Sequence, residues 1–461
     1  MKKIFDRILT ANNIIFVTIE GILIFLSVLL SVALRLLFDR VISYDLIFHK
    51  AFVIMGVYYL SFYYNDLYLF RPIVSRKELF YKITKAIIVA NLILFVIYYF
   101  YPPVTIGRGM FFINLILCSI FLIIWRLFSD YIIERTIFKE RVLVVGAGQL
   151  AKRIKDEVET REELGIDIVG YIGSSVENIG INELELKVIG RYNDLEEIAK
   201  KEKIERIIVA MPERRGMVPM ETLLKCKIQG IVVEDGISFY EKILLKIPIE
   251  GLNPGWLIFS DGFNRVAIMK IIKRGIDITI SMIGLILSLP IFIFLPILIR
   301  LDSKGPVFLK QKRLGENGNE FTILKFRSMI EDAEKVLGPT WSPDNDDRIT
   351  RVGRVIRKVR IDEIPQLFNV LKGDMSFVGP RPERPHFVSQ LINIPYYHLR
   401  HSVKPGLTGW AQVKYQYGST EEDAVEKLQY DIFYIKNMSI IFDFLIIFET
   451  VKVVLLGKGA R

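Results

Sequence analysis

Residues 278–299 read ITISMIGLILSLPIFIFLPILI, an apolar run long enough to cross a bilayer, for which a helix needs about 17–25 residues. Its reading decides the fold, because a crossing would carry everything downstream to the other side of the membrane. The flanks argue against that. Lys270, Lys273 and Arg274 precede the run, and Arg300, Lys304, Lys310, Lys312 and Arg313 follow it, whereas cations mark the cytoplasmic side of a span. Pro290, near the middle, removes a backbone hydrogen bond and bends a helix; Ser288 stands two residues before it and Pro296 within two turns after it. The run is expected to be a re-entrant, broken helix that dips into the cytoplasmic leaflet. A kinked crossing is the alternative.

Working outward, the chain of 461 residues is 51% hydrophobic yet 24% charged, so membrane and soluble parts must coexist in a multi-domain membrane protein. Apolar runs at about 14–34, 46–64, 83–104 and 109–125 predict four N-terminal transmembrane helices in a region 1–135. Lys2, Lys3 and Arg7 precede the first run, Arg71, Arg76, Lys77, Lys82 and Lys85 separate the second from the third, and Arg126, Arg135, Lys139 and Arg141 follow the fourth. Both ends of the bundle are therefore expected in the cytoplasm. The basic start MKKIFDR leads into too long an apolar segment for a signal peptide, so it is read as a retained anchor. Cys118 and Cys226 are the only cysteines, which excludes a disulfide framework and a zinc cluster. The net charge of +10 suits anionic partners: nucleic acid, acidic lipid or a phosphate-bearing substrate.

From 136 to 265 short apolar runs, RVLVVGAG, DIVGYIG, ERIIVAM and GIVVED, alternate with charged helical patterns. That rhythm predicts a Rossmann-like α/β domain with a parallel sheet. GAGQLA, with Gly146, Gly148 and Ala151, is similar to a dinucleotide-binding turn. The acid that would bind ribose hydroxyls is missing, since the second strand ends GYIGSS and Asp167 lies at its start. A regulatory or assembly module is the other reading. The segment KIPIEGLNPGW closes this block as a connector.

The last block, 266–461, carries the chemistry. GPVFLKQKRLGENGNEFTILKFRSM reads as two strands joined by a turn, and in an extended second strand Lys325 and Arg327 share a face where two cations could hold phosphate. Arg351, Arg354, Arg357, Lys358 and Arg360 then form a dense positive stretch ahead of the adjacent acids Asp362 and Glu363. The sequence PQLFNVLKG behind them predicts a short helix, so the acids stand at its N-terminus, where the dipole and the arginines offset their repulsion and keep them ionised. A charged first turn would explain one acid equally well. An ionised carboxylate can ligate Mg²⁺ together with substrate phosphates, or attack phosphorus. Downstream, Arg381 lies between prolines in GPRPE and Lys404 precedes the Gly-rich turn of KPGLTGWAQV, both in the manner of ligand loops. His398 and His401 lack a third ligand and are read as non-metal. The closing run SIIFDFLIIFETVKVVLL, interrupted by Asp443, Glu449 and Lys452, is expected to lie along the membrane surface.

Together KRGID, the Pro-broken run, GPVFLKQKRLG, KFRSM, RITRVGR, IDEIPQLFNVLKGDMSFVGPRPE and KPGLTGWAQV resemble the bacterial sugar transferase family, the monotopic phosphoglycosyl transferases, over about 270–456. The whole layout resembles their long, polyprenyl-phosphate hexose-1-phosphate transferase form. The resemblance implies a mixed α/β catalytic domain on the cytoplasmic face of the bacterial inner membrane. It implies transfer of sugar 1-phosphate from a nucleoside diphosphate sugar, such as a UDP-hexose, to polyprenyl phosphate, initiating exopolysaccharide, capsule or O-antigen synthesis. It further implies Asp362 as the nucleophile forming a phosphosugar adduct, Glu363 as its partner, and Mg²⁺ held at Asp362 and Glu363. Lys325, Arg327, Arg357, Arg381 and Lys404 would contact phosphate or nucleotide. Ser288 and Pro290 would form the membrane-helix break, although Leu289 precedes the proline where the family often has Ser. The partners are then the donor, the lipid acceptor and membrane lipid rather than nucleic acid, with a homo-oligomer left open. Two rivals stand beside this reading. A dehydratase or epimerase needs a Tyr-x-x-x-Lys pair, which Tyr171, Tyr192 and Tyr240 do not make; a non-catalytic assembly scaffold would not require Asp362.

Overall fold

The computed structural model describes residues 11–36, 47–65, 67–68, 76–136, 139–161, 164–173, 180–181, 184–211, 219–249, 252–263, 267–331, 346–415, 418 and 420–455. The chain divides into two compact units, Lys2–Gly236 and Ile237–Arg461.

The first unit opens with helices α1 (Ala11–Leu36), α2 (Ile47–Tyr64), α3 (Arg76–Phe100) and α4 (Arg108–Thr136). α1 packs along α4 and α2 along α3, around Ile24, Val28, Ile54, Tyr58, Ile83, Leu94 and Leu122. The outward residues are just as apolar, among them Ile22, Leu26, Phe52, Leu92, Phe95 and Ile116, as lipid contact requires. The polar groups point inward instead: Ser27 donates to Asn114 Oδ1 at 2.9 Å, and Arg126 pairs with Glu20 at 2.6 Å. Among the described residues, Phe16–Arg35, Leu79–Phe100 and Gly109–Phe128 are long and apolar enough to cross a membrane. The expected second crossing, α2, has 18 residues that include His49, Lys50 and four tyrosines, and it is not among those three. The structure thus gives three candidate spans with α2 packed against them.

Behind the bundle, β1 (Glu140–Val145), α5 (Gln149–Glu159), β2 (Ile166–Gly173), β3 (Gly180–Ile181), β4 (Lys187–Arg191), α6 (Leu195–Lys201), β5 (Arg206–Val209), α7 (Met220–Ile228) and β6 (Val232–Asp235) build a six-stranded sheet of order β3-β4-β2-β1-β5-β6. All its pairings are parallel except β3 with β4. The alternation of short apolar runs with helical patterns predicted this, because parallel strands are joined by helical crossovers; Leu143, Val145, Ile172, Ile207 and Cys226 form its core. Gly146 takes φ +111°, and a Cβ there would stand 2.7 Å from the Ala210 carbonyl oxygen, so the β1–α5 turn requires glycine. Ser174 and Ser175, at the expected position of a ribose-binding acid, lie outside the described residues.

The second unit begins at Ile237. Its first helices, α8 (Gly236–Leu244) and α9 (Pro254–Phe259), are fastened to its interior: Glu241 pairs with Lys436 at 2.9 Å with both side chains buried, Trp410 donates to the Leu245 carbonyl at 2.9 Å, and Lys436 Nζ stands 3.8 Å from the Trp256 ring centre. Next come α10 (Ala267–Leu287) and α11 (Leu289–Asp302), bent by 58° at the one-residue break. The break is Ser288. Pro290, at the start of α11, has no N–H for the Ile286 carbonyl, and Ser288 Oγ turns back to donate to the Gly284 carbonyl and, at 3.3 Å, to that of Leu285. Beyond the break, Leu289, Ile293, Phe294, Ile297, Leu298 and Leu301 point outward.

An antiparallel hairpin of β7 (Phe308–Leu314) and β8 (Glu320–Phe326) packs through Val307 and Phe326 on Leu295, Ile299 and Ile356. α12 (Arg351–Lys358), α13 (Gln366–Lys372), β9 (Ser376–Val378), α14 (Pro385–Leu391), β10 (Gly406–Thr408), α15 (Trp410–Lys414), α16 (Glu421–Asn437) and α17 (Ile440–Leu455) complete the unit. β9 and β10 pair in parallel. α16 is its spine, buried continuously from Leu428 to Lys436. In α17 Asp443 and Lys452 are buried, Asp443 pairing with Lys273 at 2.6 Å, while Ile441, Phe444, Phe448 and Val451 face out.

Candidate active site

The acids reach the interior through a backbone reversal. α12 ends at Lys358, and Arg360 then takes φ +57°, a left-handed conformation uncommon for a residue with a side chain. The turn Ile361–Glu363 follows, with Ile361 packed against the Leu295–Phe326 cluster. Asp362 and Glu363 are each 9% exposed. They do not begin α13, which starts only at Gln366 after Pro365, so the expected dipole of that helix is one turn removed from them.

Cations decide the charge of this pair, and they do so unequally. Glu363 Oε1 accepts from Lys325 at 2.8 Å and from Arg381 at 2.7 Å, and Oε2 lies 4.0 Å from Arg360. Burial alone would raise Glu363, but Arg381, Lys325 and Arg360 outweigh it and hold the carboxyl well below the usual range. Asp362 has no hydrogen-bond partner among the described residues. Burial pushes it above the ordinary aspartate range, with the charge of Glu363 adding to the effect and Lys325, Arg357 and Arg381 opposing it. One acid is therefore a fixed anion inside an ion web, and its neighbour is a buried carboxyl without a hydrogen bond among the described residues, beside the same cations.

Lys325, Arg357 and Arg381 are thus brought to the pair. Two other candidates are not. Parity along an extended strand would place Arg327 beside Lys325, but β8 ends at Phe326. The Arg327 guanidinium instead binds the carbonyls of Lys304 at 2.8 Å and Ser303 at 2.5 Å and the Ser303 hydroxyl at 2.9 Å, closing the C-terminal end of α11. Lys404 lies at the far end of α13, where its ammonium and the Arg274 guanidinium border Gly373.

Some positioning residues carried only a motif as their signal. In KRGID, Lys273 binds Asp443 and the Val378 carbonyl at 3.0 Å, Arg274 binds the last carbonyls of α13 at Val370 and Leu371, and Asp277 accepts from Ser376 at 3.1 Å and from the Phe377 N–H at 2.9 Å. Asn369 ties α13 to β8 through the Thr322 carbonyl at 2.7 Å and the Leu324 N–H at 3.1 Å. Gly284 lets α10 approach Leu367, whose Cδ1 lies 3.0 Å from where a Cβ would stand. The bent helix and the acid-bearing segment are therefore one framework.

No group of three or more His, Cys, Asp or Glu suited to a metal occurs among the described residues. A hard divalent cation that completes its shell with water and phosphate needs only one or two carboxylates. The carboxylate of Asp362, without a hydrogen bond among the described residues, and Oε2 of Glu363 fit that requirement.

Residues 268–457 match the family described as bacterial sugar transferase, and residues 64–218 match one described as a CoA-binding domain. An Aeromonas hydrophila protein named UDP-N-acetylgalactosamine-undecaprenyl-phosphate N-acetylgalactosaminephosphotransferase is 49% identical over 195 residues, 42% of this chain and 46% of the relative, so less than half of that protein is spanned. The UDP-glucose:undecaprenyl-phosphate glucose-1-phosphate transferase of Klebsiella pneumoniae is 35% identical over 334 residues, covering 70% of this chain and 69% of the relative. The undecaprenyl-phosphate galactose phosphotransferase of Salmonella typhimurium is 31% identical over 363 residues, covering 70% of each. With the acid pair, its cation ring and the bent apolar helix in one framework, and with identity of this extent, the chain belongs to the bacterial sugar transferase family.

Proposed function

We propose that this protein transfers a sugar 1-phosphate from a UDP-sugar to polyprenyl phosphate, with Asp362 as the nucleophile. The observation that carries the reading is the buried carboxylate of Asp362, without a hydrogen bond among the described residues and within the field of Lys325, Arg357 and Arg381, beside a Glu363 that accepts from Lys325 and Arg381. Asp362 attacks the phosphorus that bears the sugar, the P–O bond to the nucleotide breaks, and UMP departs. A phosphate oxygen of the lipid then attacks the same phosphorus, breaking the aspartyl P–O bond. The products are polyprenyl diphosphate sugar and the free carboxylate. Guanidinium and ammonium groups already in place compensate the charge that builds on the leaving phosphate. The names of the relatives support this substrate pair.

Mg²⁺ would be held by Asp362, Glu363 Oε2 and the diphosphate, and when bound it supplies charge neutralisation on that diphosphate. Low-lying Glu363 keeps Lys325 and Arg381 in position, a role that needs no proton of its own. The bent α10–α11 pair is read as re-entrant, entering and leaving on the cytoplasmic face of the bacterial inner membrane, with α2 as a fourth crossing. In support, the tip around the break is apolar outward while Lys270, Lys273, Arg274, Arg300 and Lys304 flank both ends.

The test incubates membranes with Mg²⁺, short polyprenyl phosphate and UDP-glucose, UDP-galactose or UDP-N-acetylgalactosamine, and measures UMP. Asp362→Asn is expected to abolish release, and mass spectrometry of the wild-type chain under turnover to find the phosphosugar on Asp362. Comparable UMP from the variant refutes the nucleophile. Single cysteines placed on either side of 278–299 are expected to label from the cytoplasm; labelling of the C-terminal one only from outside refutes the re-entrant path.

A further inference from the structure

We infer that Arg400, anchored by Asp431 on the central helix α16, is a positioning residue that fixes Arg381 against Glu363. The inference rests on the transferase reading only for its kinetic consequence.

The loop Pro380–Glu383 cannot hold itself in place. Pro380 and Pro382 have no N–H, so the loop is fixed through its carbonyls. Each of the four accepts from a different residue. Pro380 accepts from the Gly406 N–H at 2.8 Å and Glu383 from the Leu314 N–H at 3.0 Å. Pro382 accepts from Arg313 at 3.2 Å, and Arg381 accepts from Arg400 Nη2 at 3.0 Å. Only the last of these grips the residue whose own guanidinium touches Glu363.

Arg400 is itself closely held. It is 8% exposed, its Nη1 donates to the Tyr397 hydroxyl at 2.7 Å, Nη2 pairs with Asp431 Oδ2 at 3.0 Å, and Glu383 lies 3.9 Å away. Asp431 is 2% exposed and sits within the buried stretch of α16. The chain of contacts runs from α16 through Asp431 and Arg400 to the Arg381 carbonyl, and from the Arg381 guanidinium to Glu363. A planar fork serves this task because one guanidinium can satisfy a hydroxyl, a carbonyl and a carboxylate together, which an ammonium cannot do with the same geometry. Rigid support of this kind matters because a shift of about 1 Å in a positioning group can cost up to about 100-fold in rate.

The test compares Arg400→Met, Arg400→Lys, Asp431→Asn, Arg381→Ala and the double variant Arg400→Met/Arg381→Ala in the full-length chain, with UMP release and melting temperature measured for each. Arg400→Met is expected to lower kcat/KM for the UDP-sugar by about 10- to 100-fold, Arg400→Lys to recover part of that loss, and the double variant to be no worse than Arg381→Ala. Asp431→Asn keeps the side-chain volume and is expected to lower kcat/KM in the same direction if Arg400→Met does not fold. Multiplicative losses in the double variant would mean that Arg400 acts independently of Arg381, and would overturn the inference. A structure of Arg400→Met or Asp431→Asn reads the geometry without activity: Arg381 is expected to leave Glu363, and retention of the 2.7 Å contact overturns the inference. If the wild-type chain releases no UMP from any of the three donors, the transferase reading fails while this structural test still stands.

Discussion

The Lys325 ammonium lies 2.8 Å from Glu363 Oε1, and with Arg381 at the same oxygen it leaves the adjacent Asp362 as the acid without a hydrogen bond among the described residues. Asp362 must be ionised to attack, and its pKa lies above the ordinary aspartate range. Activity is therefore lost as pH falls through that raised value. We expect Glu363→Gln to move the acid limb of kcat/KM to lower pH, because a like charge disappears and two cations are released toward Asp362. Lys325→Met should move it to higher pH. Profiles measured from pH 4 to 9 check both signs; a limb that stays fixed in both variants would exclude Asp362 as the titrating group.

Charge held against burial at Asp362 also costs stability. An acid whose folded pKa is raised destabilises the fold above that pKa, and the penalty vanishes below the unfolded value, where both states are protonated. Asp362→Asn is accordingly expected to be inactive but more stable at neutral pH, with a higher Tm than wild type. The gain should fade on acidification. Glu363 has the opposite sign: its depressed pKa stabilises the fold above the ordinary glutamate range, and that contribution is lost as pH falls through the folded value. Melting curves of Glu363→Gln against wild type should converge in acid.

Two arginines that look alike in sequence should separate in assay. Arg327 closes the end of α11, so Arg327→Met is expected to lose about 2–4 kcal/mol of stability while the folded fraction keeps its KM for the donor. Arg381→Met removes the first of the cations that hold buried Glu363 down, so it is expected to lose stability too, but with a fall in kcat/KM that the folded fraction of Arg327→Met does not show. Urea titration alongside steady-state kinetics makes the comparison, and equal kcat/KM in the two variants would reject the distinction.

In the N-terminal bundle, Glu20 and Arg126 form a 2.6 Å pair with side chains 0% and 5% exposed, and Tyr68 donates to Glu20 at 2.7 Å. Removing one partner leaves a buried charge, so Glu20→Gln or Arg126→Met is expected to cost about 3–5 kcal/mol and the double variant less than the sum. Thermal melting in detergent reads this; additive losses would mean that the two residues act separately.

Most of the architecture was legible from local pattern. Apolar runs and flanking cations marked the bundle, the alternation of apolar runs with helical patterns marked the parallel sheet, and Pro290 marked the break. The acid pair and its attraction for cations could also be read, because Arg357 and Arg360 are close in sequence. What escaped were relations between distant segments. Strand parity grouped Arg327 with Lys325, but β8 stops one residue earlier and Arg327 turns to α11. Lys404 belongs to a suggestive loop yet lies at the other end of α13. The pairing of Asp443, in the last apolar run, with Lys273, 170 residues away, could not be read from that run alone. Arg400 and Asp431 gave no local signal at all, since their meaning lies in a carbonyl contributed by a third segment.

The fastening of Glu241 and Trp256 to Lys436 sets where this protein can be shortened. An excised catalytic fragment starting at residue 268, where the family match begins, would take from the buried Lys436 its Glu241 and Trp256 contacts and strip the indole of Trp410 of its acceptor. A soluble or nanodisc-bound minimal enzyme should therefore retain everything from Ile237 onward.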